Sequence, residues 1–172
     1  MTDEWRPALA ALAGIIATVA AMPVLYAPAA WRLWQALQRP PQTARDTAPP
    51  AFSPLHFAGS AVASSPGAAY LAGAVIALAL GAGYSIFLSA LLYAFGADAL
   101  LPLWGAVIGV IEWIFTGISL TYTRMLHPAV RTGRVADPGP FALRHGRGVA
   151  TALLAGHALF GATAAALYGA FT

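Results

Sequence analysis

Four apolar stretches, each about as long as a bilayer is thick, constrain this chain more than any other feature. They run near residues 7–27, 68–95, 102–123 and 148–171. At ~1.5 Å rise per residue, a helix of about 20 residues crosses the ~30 Å hydrocarbon core. Backbone groups in lipid must be satisfied internally, which leaves helices or a closed barrel. The apolar runs are continuous and do not alternate, so they predict helices. The fold expected is an all-α, polytopic membrane protein: four transmembrane helices in a bundle, forming one domain over residues 1–172. The second span is longer than it needs to be and should tilt or reach the headgroups.

Composition agrees with that reading. The chain is 59% hydrophobic and 9% charged, where soluble domains carry about 25% charged residues. With a mean hydropathy of +0.71, most of its surface must face lipid. Cysteine is absent, which excludes disulfides, thiolate metal sites and cysteine nucleophiles. The basic residues are all Arg and flank the apolar spans without forming a free-standing patch, so no nucleic-acid partner is expected.

Arg placement predicts orientation. The loop after the first span holds Arg32, Arg39 and Arg45, and the loop at 124–147 holds Arg124, Arg131, Arg134, Arg144 and Arg147. The other side has Arg6, beside Asp3 and Glu4, and a tight turn carrying Asp98. Basic loops stay cytoplasmic, so both termini fall on the non-cytoplasmic side of a plasma (inner) membrane, periplasmic in a Gram-negative cell. The first span lacks the basic start of a secretory signal, since the chain begins Met1-Thr2-Asp3-Glu4. Residues 28–38 read as a short interfacial helix, with Trp31, Trp34 and Leu37 at helical spacing and Arg32 placed to snorkel. Residues 40–66, rich in Pro, Ala and Ser, read as an extended cytoplasmic segment, either a linker over that face or a docking segment for a partner.

Small residues recur at helical spacing: Gly73, Ala77 and Gly81 in the second span, Gly161 and Ala165 in the fourth. In the third, Gly105, Gly109, Glu112, Thr116 and Ser119 share one face, with Val107, Ile111, Ile114 and Ile118 opposite. Small faces let membrane helices approach closely, so Glu112 should point inward. Counting at ~1.5 Å per residue puts Glu112, Tyr84 and Thr18 at about 15 Å depth, with Thr116 and His157 about one turn deeper.

A carboxylate in hydrocarbon costs several kcal/mol unless it is neutralised, paired or wetted, so this layer is the candidate site. In a first reading it is a structural network, with Glu112 donating to Thr18, Tyr84 or a carbonyl, or ionised against His157. In a second, Glu112 and His157 serve a proton or ion pathway, with Ser119, Thr121 and Tyr122 on the cytoplasmic side and Ser89 outward. In a third, His157 contacts a haem, a chlorin or a quinone. No metal-ligand spacing, hydrolase motif, P-loop or dinucleotide fingerprint occurs. The function expected is therefore a non-enzymatic accessory or scaffolding subunit of a larger membrane complex. A small transporter or proton-conducting protein is the alternative, and cofactor contact through His157 a further one. Membrane lipids, other membrane subunits or self-association are the partners expected, and no cofactor is required.

Gly14-Ile15-Ile16-Ala17-Thr18, the run from Gly105 to Trp113, and His157-Ala158-Leu159-Phe160-Gly161 followed by Tyr168-Gly169 carry a resemblance. They are similar to segments of uncharacterised small bacterial four-helix membrane proteins of the domain-of-unknown-function type. The likeness covers the spans and not the long first loop. It implies a fold and brings no activity.

Overall fold

The computed structural model describes residues 4–38, 52–97 and 99–172. Arg39, Arg45, the 40–51 part of the first loop and Asp98 lie outside the described residues. Within them the chain is helical, with no strand. The helices are α1 (Pro7–Gln38), α2 (Pro54–Gly59), α3 (Pro66–Ala94), α4 (Leu101–Ser119), α5 (Thr123–Leu126), α6 (Pro128–Arg131) and α7 (Arg147–Phe171), with 3-10 turns at Leu120–Tyr122 and Pro140–His145. Four helical stretches are long and apolar enough to cross a membrane: Pro7–Gln35, Pro66–Ala94, Leu101–Leu126 and Arg147–Phe171.

Two expectations need correction. The separate interfacial helix at 28–38 does not form, because α1 continues through Pro23 and Pro28 as one helix. Proline removes one ladder bond, yet membrane helices tolerate it where neighbours satisfy the freed groups. At 32 residues α1 is ~48 Å long, so its last turns project beyond a ~30 Å core. Trp31 is 61% and Trp34 56% exposed on that projection. Arg32 donates from Nη2 to the His145 carbonyl at 2.7 Å, so it ties α1 to the 140–145 turn.

The second correction is α2, in a segment expected to be extended. Ser53 caps it by accepting from the His56 amide, and Pro54 occupies its first turn, where no amide hydrogen is needed. Tyr26 of α1 holds it in place: the Tyr26 hydroxyl bonds Ser53 Oγ at 2.9 Å and accepts from the Leu55 amide at 3.3 Å.

Small residues decide which helices meet. A Cβ on Gly105 or Gly109 would collide with the Gly161 or His157 backbone, and Ala165 lies beside Gly105, so α4 and α7 share a tight seam. Gly14 and Gly81 play the same part between α1 and α3. Gly73, in contrast, is covered by Leu55, and Gly59 by Ala69, so the start of α3 packs on α2 and not on another long helix. α7 lies between α1 and α4, while α3 covers the other side of α1 and barely touches α4.

At the end carrying both termini, Trp5 Nε1 donates to Ser89 Oγ at 3.1 Å and the Arg6 amide donates to the buried Tyr168 hydroxyl at 3.1 Å. The core behind them is apolar, built from Ala17, Ala21, Leu88, Leu92, Phe160 and Ala164.

Candidate functional site: an acidic cavity between the helices

Thr18, Tyr84, Glu112, Thr116 and His157 all line one cavity of about 260 Å³. Each long helix contributes. α1 supplies Thr18, Met22 and Leu25; α3 supplies Ile76, Ala77, Leu80, Gly81 and Tyr84; α4 supplies Glu112 and Thr116; α7 supplies Gly156, His157 and Phe160. The unexpected contributor is α2, whose Pro54, Leu55 and Ala58 close the loop side. Ser53-Pro54 was the signal for it, as an N-cap followed by a first-turn proline.

The hydrogen bonds differ from a network centred on Glu112. Thr18 Oγ1 donates to the Gly14 carbonyl at 2.8 Å, and the Tyr84 hydroxyl donates across to the Ile108 carbonyl of α4 at 3.2 Å. His157 Nδ1 pairs with the Leu153 carbonyl at 2.7 Å. Hydroxyl and imidazole groups inside a helix readily reach the carbonyl one turn back, and Thr18 and His157 both do so. Glu112 Oε2 is buried with no hydrogen-bond partner, and no Glu112–His157 ion pair occurs among the described residues.

The cavity is closed toward the termini. Tyr84 and Ile108 pack against the apolar Leu88, Leu92 and Phe160 cluster, and Ser89, expected as an outward polar step, is engaged by Trp5 and donates to the Ile86 carbonyl at 2.9 Å. On the other side, Ser119 is exposed and donates to the Phe115 carbonyl, and neither it nor Thr121 or Tyr122 lines the cavity. α3 and α4 both line the cavity yet scarcely touch each other.

The loop side holds a second polar cluster that sequence reasoning passed over. Asp137, with its side chain 13% exposed, pairs with Arg124 and Arg144. It also accepts from Thr123 Oγ1 at 3.1 Å and from the Gly139 amide at 2.9 Å. Burial pushes its pKa up, but the Gly139 amide, Arg124, Thr123 and Arg144 outweigh that and hold it below the usual carboxylate range. The signal was Asp137-Pro138-Gly139, a turn in which the carboxylate caps the amide two residues on. Nearby, His145 is 9% exposed with Nε2 unpartnered. Burial, and then the Arg32 charge, lower its pKa against the opposing pull of Asp137.

Among the described residues no cluster of His, Asp and Glu could hold a metal ion. The four long apolar helices are compatible, by length and composition, with a multi-pass membrane protein. No protein-family model matches it, and neither a curated protein nor a solved structure does.

Proposed function

We propose that this chain is a multi-pass plasma-membrane protein, with both termini on the non-cytoplasmic side, that binds a lipophilic molecule in the cavity around Glu112. The observation that carries this is Glu112, a lining residue of a largely apolar cavity, whose Oε2 is buried without a partner. A mostly apolar cavity with a few convergent polar groups is the usual form of a small-molecule site. An unpartnered buried polar atom costs about 1–3 kcal/mol, a cost that a ligand can relieve.

The other readings have less support. A scaffold role with Glu112 stitching the helices fits poorly, because Oε2 bonds to none of them. A conducting pathway lacks polar steps toward the termini, where Leu88, Leu92 and Phe160 fill the core. Haem and chlorin have less support, because a cavity of about 260 Å³ is below the ~300–1,000 Å³ of drug-sized sites and a rigid macrocycle is larger still. The size suits a headgroup whose tail leaves between α3 and α4 into lipid.

Native mass spectrometry of the purified protein tests the proposal, with Ala77→Trp as a cavity-filled control. A bound species present on the wild type and missing from the variant is the expected result. Identical lipid sets on both proteins would refute it.

A further inference from the structure

The hydrogen-bonding roles around the cavity narrow the ligand further, given that the cavity is a binding site. A carbonyl only accepts, so each group bonded to one has already committed its proton. Thr18 gives its hydroxyl proton to Gly14, and Tyr84 gives its own to Ile108. His157 must donate from Nδ1 to reach the Leu153 carbonyl. A neutral imidazole protonated at Nδ1 presents a lone pair at Nε2. Glu112 as a carboxylate is acceptor only. Four of the five polar side chains that line the cavity therefore have only lone pairs left for a ligand, and Thr116 supplies the remaining hydroxyl.

A quinone, ketone or ester brings more acceptors to a site already rich in them, and only the Thr116 hydroxyl could meet it. A protonated Glu112 would add a single donor. An ammonium group brings three donors together with the positive charge that a carboxylate out of water needs. We infer that the cavity selects a lipophilic amine, whose ammonium is held by Glu112 and donates further to Thr18, Tyr84 or His157, while its apolar body trails through the α3–α4 gap.

The test uses the whole chain in phosphatidylcholine nanodiscs and four compounds on one naphthyl skeleton, bearing aminomethyl, trimethylammoniomethyl, hydroxymethyl or acetyl groups. Equilibrium dialysis against empty nanodiscs corrects for partitioning into lipid. The aminomethyl compound should bind at least tenfold more tightly than the acetyl compound, and Glu112→Gln should remove that advantage. Tyr84→Phe, which deletes one acceptor and leaves the carboxylate, should weaken the amine several-fold and leave the acetyl compound unchanged. It keeps the inference testable if Glu112→Gln misfolds. Equal or tighter binding of the acetyl compound would overturn the amine inference and leave the cavity as a binding site. Equal binding of the trimethylammonium compound would overturn it as well, because charge alone would then select. If no compound binds above empty nanodiscs and Ala77→Trp changes nothing, the cavity reading itself fails.

Discussion

Replacing Glu112 with Leu should stabilise the protein. Glu112 lines an apolar cavity and its buried Oε2 has no partner, so the folded chain carries a desolvated polar atom without a compensating bond. Leaving such an atom unsatisfied costs about 1–3 kcal/mol, and central acidic residues cost ~2.5–3.5 kcal/mol on insertion scales. Leucine is close in size, removes that cost and adds apolar contact with Met22, Leu25 and Leu80 across the cavity. The expected gain is about 1–3 kcal/mol, or roughly five- to 150-fold in the unfolding equilibrium. Reversible unfolding in mixed micelles, followed by circular dichroism at matched protein and lipid ratios, measures it. Residues kept for binding commonly carry such a stability cost. A carboxylate that stitched the bundle would behave in the opposite way. Destabilisation of Glu112→Leu by more than 1 kcal/mol would refute the reasoning.

Gly109→Leu should destabilise by about 1–3 kcal/mol or prevent folding, because its Cβ would meet the His157 backbone and α4 would have to leave α7; unchanged unfolding would contradict that seam. Gly59→Val should detach α2 from Ala69 and raise hydrogen exchange at 54–59 well before any other segment. Asp137 has a folded pKa below its ordinary 3.8, so its contribution is complete above pH 3.8 and lost as pH falls through the lower folded value. Exchange protection at 128–140 should follow that course, and Asp137→Asn should flatten it while costing about 1–2 kcal/mol after allowance for the exposed Arg partners. His145 has a folded pKa below 6.5, so the unfolded chain takes up a proton first and stability declines as pH drops below 6.5 toward the folded value. His145→Phe should abolish that slope, and an unchanged slope would reassign it.

Much of the fold was legible because hydropathy over helix length is a strong signal. The second and fourth spans, expected at 68–95 and 148–171, appear as Pro66–Ala94 and Arg147–Phe171. Pro28 was misleading because proline punctuates helices in water, whereas α1 absorbs it and runs on. α2 was hidden inside a Pro-rich stretch, although Ser53-Pro54 marks a helix start. Depth counting brought together the five polar residues that line the cavity. What it could not supply was the partner of each group, since a carbonyl one turn back competes with any group across the bundle. Thr18 and His157 took that nearer carbonyl, and Tyr84 reached a backbone carbonyl on α4. The Glu112 carboxylate gained none of those donors.

The most direct test of a ligand cavity around Glu112 is photolabelling in membranes with a naphthyl-methylamine carrying a diazirine, followed by peptide mapping. Label should concentrate on residues 76–84 and 112–116, be displaced by the unlabelled amine, and vanish in Glu112→Leu. Label spread over lipid-facing positions such as Leu71, Phe87 and Phe115, and insensitive to that substitution, would contradict the account.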